Sequence, residues 1–95
     1  MTTPTVRAVI ATLADYYPAV SLDLIQSKRK TRLHAEPRHL AMVMLDRMGW
    51  SMTKIGNALN RHHTTVIHAR HAVRIRHDPR FVERLTDEAR ARCAK

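Results

Sequence analysis

The sequence predicts an all-α fold, a compact bundle of about six helices that contains a helix-turn-helix preceded by a basic loop. Three observations carry that expectation. Apolar residues recur at three- and four-residue spacing in successive segments, and helix start or stop signals bound those segments. Only 2 glycines and 4 prolines occur and 4% of residues are aromatic, which argues against a turn-rich β sandwich. Ninety-five residues leave room for one modest core, so a single domain is expected over residues 6–92, behind a flexible start at 1–5.

The elements follow in order. Val6, Val9, Ile10, Leu13, Tyr16 and Tyr17 form one helical face, which Pro18 ends. Ser21 caps a short second helix through Leu22, Leu24 and Ile25, with Asp23 in its first turn. Lys28-Arg29-Lys30-Thr31-Arg32 is too charged to pack and reads as an exposed loop. Pro37 suits the first position of a third helix carrying Leu40, Ala41, Val43, Met44, Leu45 and Met48. Its apolar residues fall on more than one side, so it is expected to be the central buried helix, stopped by Gly49. Ser51 caps a fourth helix over 52–59, a fifth runs from near His62 to about His77, and Asp78-Pro79 opens a sixth.

Charge is distributed unevenly. Lys and Arg total 17 against 8 Asp and Glu, for a formal charge of +9. From Lys28 to Arg76, 11 basic residues face only Glu36 and Asp46, and all 7 histidines lie between His34 and His77. The flanks are electrically balanced, so the middle of the chain carries the function and a polyanion is its expected partner.

Several classes fall away. One cysteine, Cys93, allows no internal disulfide, and a reducing cytoplasm, with the nucleoid within it, is the expected compartment. Arg7 and Asp15 interrupt any signal-peptide core, and no uncharged run approaches the roughly 18 residues of a membrane helix. There is no phosphate-binding GxxxxGK loop, no GxGxxG, no CxxC and no HExxH. No cofactor, nucleotide or membrane partner is expected, nor is an enzyme, since no carboxylate pair or nucleophile–base pair converges. A metal site is weighed against the histidines. His63, His68 and His71 are spaced by five and three, not by the four that pairs two ligands on one helical face.

Met52 to His71 can be laid on the helix-turn-helix pattern. Gly56 supplies the small residue at the crossing, Asn60 tolerates positive φ in the turn, and Val66 is the inward anchor with Ile55, Leu59 and Ala69 around it. His62, His63, Thr64, Ile67, His68 and His71 then face outward, offering hydrogen bonds and methyl groups to base edges. Two short helices with a glycine between them occur in many folds, and a Lys/Arg run alone is usually a solvated loop. Together, with Arg38, Lys54 and Arg61 of the same sign nearby in sequence, phosphate contact is the stronger reading.

These residues also carry a resemblance. The stretch VSLDLIQSKRK (Val20 to Lys30), PRHLAM (Pro37 to Met42), Ile55-Gly56 and HTTVIHA (His63 to Ala69) resemble the DNA-binding domain of the bacterial chromosomal replication initiator family, DnaA, over roughly Val6 to Arg74. The resemblance implies that Lys30 reaches the minor groove with Lys28, Arg29 and Arg32 beside it. It also implies that Arg38 and His39 contact backbone and nearby bases, and that His63, Thr64, Thr65 and His68 read the major groove. Three departures stand out: Leu59-Asn60-Arg61 is one residue shorter than the family's Gly-Gly turn, His62 replaces an aspartate that reads cytosine, and Glu36 stands where a base is common.

The expected function is that of a stand-alone, sequence-specific double-stranded DNA-binding protein. It would regulate replication initiation or transcription by occupying initiator-type sites, in competition or contact with a full-length initiator. Without an ATPase domain it would occupy sites but not open them. The alternatives are a nonspecific nucleoid-associated protein and a module docking on an acidic protein.

Overall fold

The computed structural model describes residues 3–17, 20–26 and 32–93, with backbone alone for Leu24 and residues 32–34. The helices are α1 (Pro4–Ala14), α2 (Leu22–Gln26), α3 (Arg32–Arg47), α4 (Met52–Ala58), α5 (His63–Arg76) and α6 (Pro79–Cys93). Among the described residues the fold is all helical. Five helices have seven residues or more, and α2 is a single turn of five, so the expected six counts that turn as a full helix.

Side-chain caps set most starts. Thr3 Oγ1 accepts from the Val6 N–H at 3.3 Å and opens α1 two residues before the expected Val6. Ser51 Oγ accepts from Lys54 N–H at 3.1 Å, and Asp78 Oδ1 from Arg80 N–H at 2.8 Å. Each satisfies a donor that the first helical turn leaves unpaired.

Two further boundaries differ from expectation. The first helix ends at Ala14, not beside Pro18, because the Tyr16 and Tyr17 N–H groups both turn back onto the Leu13 carbonyl. That turn sends Tyr16 toward α6, where it meets Phe81 edge-on at 5.6 Å and donates its hydroxyl to Glu88 at 3.1 Å. The third helix starts at Arg32, so Pro37 is its sixth residue and not its first. Proline costs the helix one N–H and one hydrogen bond there. The residues ahead of it, Arg32, Leu33, Ala35 and Glu36, favour the helix strongly enough to continue it.

Helix α3 is the central element. Leu40, Ala41, Met42, Val43, Met44 and Leu45 are six consecutive buried residues, as expected of a helix covered on all sides. Around it pack Val6, Val9 and Leu13 of α1, Val66, Ala69 and Val73 of α5, and Val82, Leu85 and Ala89 of α6. Full burial of a large aliphatic side chain stabilises by roughly 1.5–3 kcal/mol. The buried Thr12 and Thr86 hydroxyls donate to carbonyls one turn back, Ala8 and Val82, each at 2.8 Å, so neither costs an unpaired group.

The α4–α5 connection is closed by backbone. Arg61 N–H donates to the Gly56 carbonyl at 2.8 Å, and Asn60 between them has φ +56°. The Arg61 carbonyl lies over Gly56 so closely that a Cβ there would sit 2.5 Å from its oxygen and 3.4 Å from the His63 nitrogen. Helix α5 therefore leaves α4 at an angle that only glycine at 56 permits. Gly56→Val is expected to lower stability by about 1–3 kcal/mol as the turn is pushed off α4. Urea midpoints beside those of Asn57→Val, on the exposed side of α4, check this; equal midpoints would mean the turn is not closed on Gly56.

Candidate nucleic-acid interface

Helix α5 contains no acidic residue, and His63 and Thr64 at its start are exposed. Burial of Val66, Ala69 and Val73 fixes one face inward. By helical periodicity His63, Thr64, Ile67, His68 and His71 then point out, and all five are exposed. His62 is the N-cap: its Nδ1 accepts from Thr64 N–H at 3.3 Å and lies 2.9 Å from Thr64 Oγ1. The His62 and His63 rings face each other at 4.2 Å between centroids. Thr65 is half-buried, with its N–H on the His62 carbonyl at 3.0 Å, so its hydroxyl is less available than that of Thr64.

Beside this face, the end of α2 is clamped to the turn. Gln26 Nε2 donates to the Ala58 carbonyl at 2.8 Å, while the Gln26 carbonyl accepts from Asn60 Nδ2 at 3.3 Å and Arg61 Nη1 at 3.4 Å. One residue earlier, the Ile25 carbonyl accepts from Arg38 Nε at 2.9 Å. The basic run begins two residues after Gln26, so its root is fixed at the foot of α5. Lys28, Arg29 and Lys30 themselves lie outside the described residues, and Arg32 is described only as the backbone of the first residue of α3.

The other expected contact residues are placed differently. Arg38 is only 5% exposed; burial first, then the neighbouring Arg61 charge, lowers its pKa. His39 is half-buried against Ala72, Val73 and Arg76, which puts it roughly 14 Å along α5 from His63. Lys54 is exposed at the start of α4, with Nζ 4.1 Å from the centre of the Trp50 ring, a cation–π contact. The structure thus brings Arg61, His62, His63, Thr64, Thr65 and His68 together, buries Arg38 and leaves His39 half-buried. Glu36, where the resemblance expects a basic residue, has Oε1 2.9 Å from His77 Nε2. Among the described residues no three His, Cys, Asp or Glu side chains group as a metal would need, and no helix is long and apolar enough to cross a membrane.

Gln26 is the positioning residue that sequence reasoning missed. Its partners are 32 or more residues away, and nothing local marks it beyond its place just ahead of the basic run.

His39 generates a pH prediction. Its Nδ1 is buried without a hydrogen-bond partner. Burial, then the charges of Arg76 and Arg38, holds its pKa below the ordinary value, with Glu36 opposing. The unfolded chain takes up the proton near pH 6.5, whereas the fold resists it to lower pH. The stability this group contributes is therefore complete above about pH 6.5 and is lost as pH falls toward the folded value. Melting temperatures of wild type and His39→Leu between pH 7.5 and 5 are expected to show a shallower acid decline in the variant. Parallel declines would contradict the burial argument.

The comparison with known families agrees with this geometry. A family described as the bacterial dnaA protein helix-turn-helix matches residues 6–73 of the 95, a span that runs from the first turn of α1 to Val73 of α5 and includes the clamp, the turn and the outward face. With that match over more than half of its length, the chain belongs to the bacterial DnaA helix-turn-helix family.

Proposed function

We propose that this protein binds double-stranded DNA sequence-specifically and regulates replication initiation or transcription by occupying initiator-type sites. DNA binding is what the family supplies; the specificity and the regulatory role are the proposal. The observation that carries it is the acid-free His/Thr face at the start of α5, held at a backbone-fixed angle beside the root of a basic loop.

In this reading His62, His63, Thr64 and His68 meet base edges in the major groove, and Thr65 and Arg61 support them from the rim. Lys28, Arg29, Lys30 and Arg32 contact minor groove and phosphates, with Lys54 on phosphate as well. Arg38 acts from within, by holding the Ile25 carbonyl, and His39 acts through the α3–α5 packing. Occupation of shared sites would place the protein in competition with a full-length initiator. A nonspecific nucleoid role is the second reading, favoured by the +9 charge between Lys28 and Arg76.

Selection from random-sequence duplexes separates the two. A defined motif supports site occupation; recovery of unbiased DNA would leave only the nucleoid role. On the selected duplex, His63→Ala is expected to cost about 1–3 kcal/mol, with much less loss on a scrambled one. Lys28→Ala should weaken both duplexes alike and flatten the log–log salt dependence by about one unit, from a starting slope near −0.9 per phosphate neutralised. Equal losses on both duplexes for His63→Ala would reduce it to a phosphate contact.

A further inference from the structure

The cap of α5 also fixes the direction in which its outermost groups can hydrogen-bond. A backbone N–H only donates, so accepting Thr64 N–H at 3.3 Å requires a lone pair on His62 Nδ1 and therefore the tautomer with the ring proton on Nε2, the one Nδ1 lone pair being shared between the donors that reach it. The same Nδ1 lies 2.9 Å from Thr64 Oγ1. With Nδ1 an acceptor, that contact is satisfied only when the Thr64 hydroxyl hydrogen points at the ring. The hydroxyl is then spent as a donor and keeps only lone pairs for anything outside. The His63 ring lies beside that of His62, with centroids 4.2 Å apart and planes tilted by 36°. Both His62 and Thr64 are exposed.

We infer that His62 and Thr64 form a polarity pair that determines base preference, with His62 a donor only, through Nε2–H, and Thr64 an acceptor only, through Oγ1. This rests on the reading of α5 as the major-groove helix. In the major groove a donor meets purine N7, guanine O6 or thymine O4, and an acceptor meets the amino groups of adenine or cytosine. His62 therefore selects a base edge that accepts and cannot read an amino group. An aspartate at this position would do the reverse, because a carboxylate only accepts. A chain of the same fold thus reads a different base at one position through the hydrogen-bonding sense of one side chain. Discrimination by such a contact is roughly 5- to 150-fold.

The experiment has two arms. Ring-nitrogen NMR of the free protein at neutral pH should show His62 in the Nε2–H form, and Thr64→Val should change the His62 ring signals. A His62 ring with its proton on Nδ1 would overturn the pairing without any DNA present. Random-duplex selection then compares wild type with His62→Asp, which keeps the capacity to cap. One motif position should change from an accepting base edge to an amino-bearing one, with the rest retained. If His62→Asp melts below wild type, His62→Ser, a cap too short to reach a base, should lose discrimination at that position alone. An unchanged motif in the variants overturns the polarity pair and leaves DNA reading by α5 intact. A wild type that selects no motif overturns the underlying reading as well.

Discussion

The Arg61 backbone rests on Gly56, and the functional geometry of this protein depends on that contact. The 2.5 Å between the carbonyl oxygen and the place a Cβ would occupy means that no other residue at 56 lets the turn close. Positive φ at Asn60 and the hydrogen bond from Arg61 to Gly56 complete the turn. Because the constraint is in the backbone, side-chain motion cannot relax it, and α5 is held at a fixed angle to α4. The Asn60 and Arg61 side chains carry that order one step further, onto the carbonyl of Gln26. The start of α5 and the end of α2, which leads into the basic run, are thereby referenced to the same few atoms.

The rest of the molecule serves as a mount. Helix α3, buried over six consecutive residues, supplies the body against which α1, α5 and α6 lie. The α1–α6 seam is finished by polar contacts at its end, Tyr16 to Glu88 and Arg92 to Asp15 at 2.6 Å, in the part of the chain where acids and bases balance. Arg38 counts toward the basic segment, yet its guanidinium is turned inward onto the Ile25 carbonyl.

What was legible in the sequence was what local chemistry dictates. The helical spacing of Val66, Ala69 and Val73 gave the outward set on α5, and Gly56 and Asn60 announced the turn because few other residues tolerate those positions. Pro37 misled because a proline is compatible with either the start or the early interior of a helix, and only the strength of the preceding residues decides. The depth of Arg38, almost wholly buried, and of His39, half-buried, was illegible for a different reason: burial of a charged or polar side chain is a property of the assembled core, which no spacing reveals. The Gln26 clamp was illegible because its partners are remote in sequence. The sense of the His62 hydrogen bond was also illegible, since either ring nitrogen can carry the proton until a neighbour such as Thr64 N–H claims one of them.

In the proposed function one turn positions both the α5 face and the loop root against the same duplex. The most direct test is chemical-shift mapping of the protein on addition of a duplex recovered by selection. The account predicts that the shifts concentrate at residues 28–32, at Asn60 and Arg61 and along the outward face from His62 to His71, while Tyr16, Glu88 and Arg92 at the α1–α6 seam stay where they are. Shifts centred on that seam, or spread evenly over the surface, would contradict it.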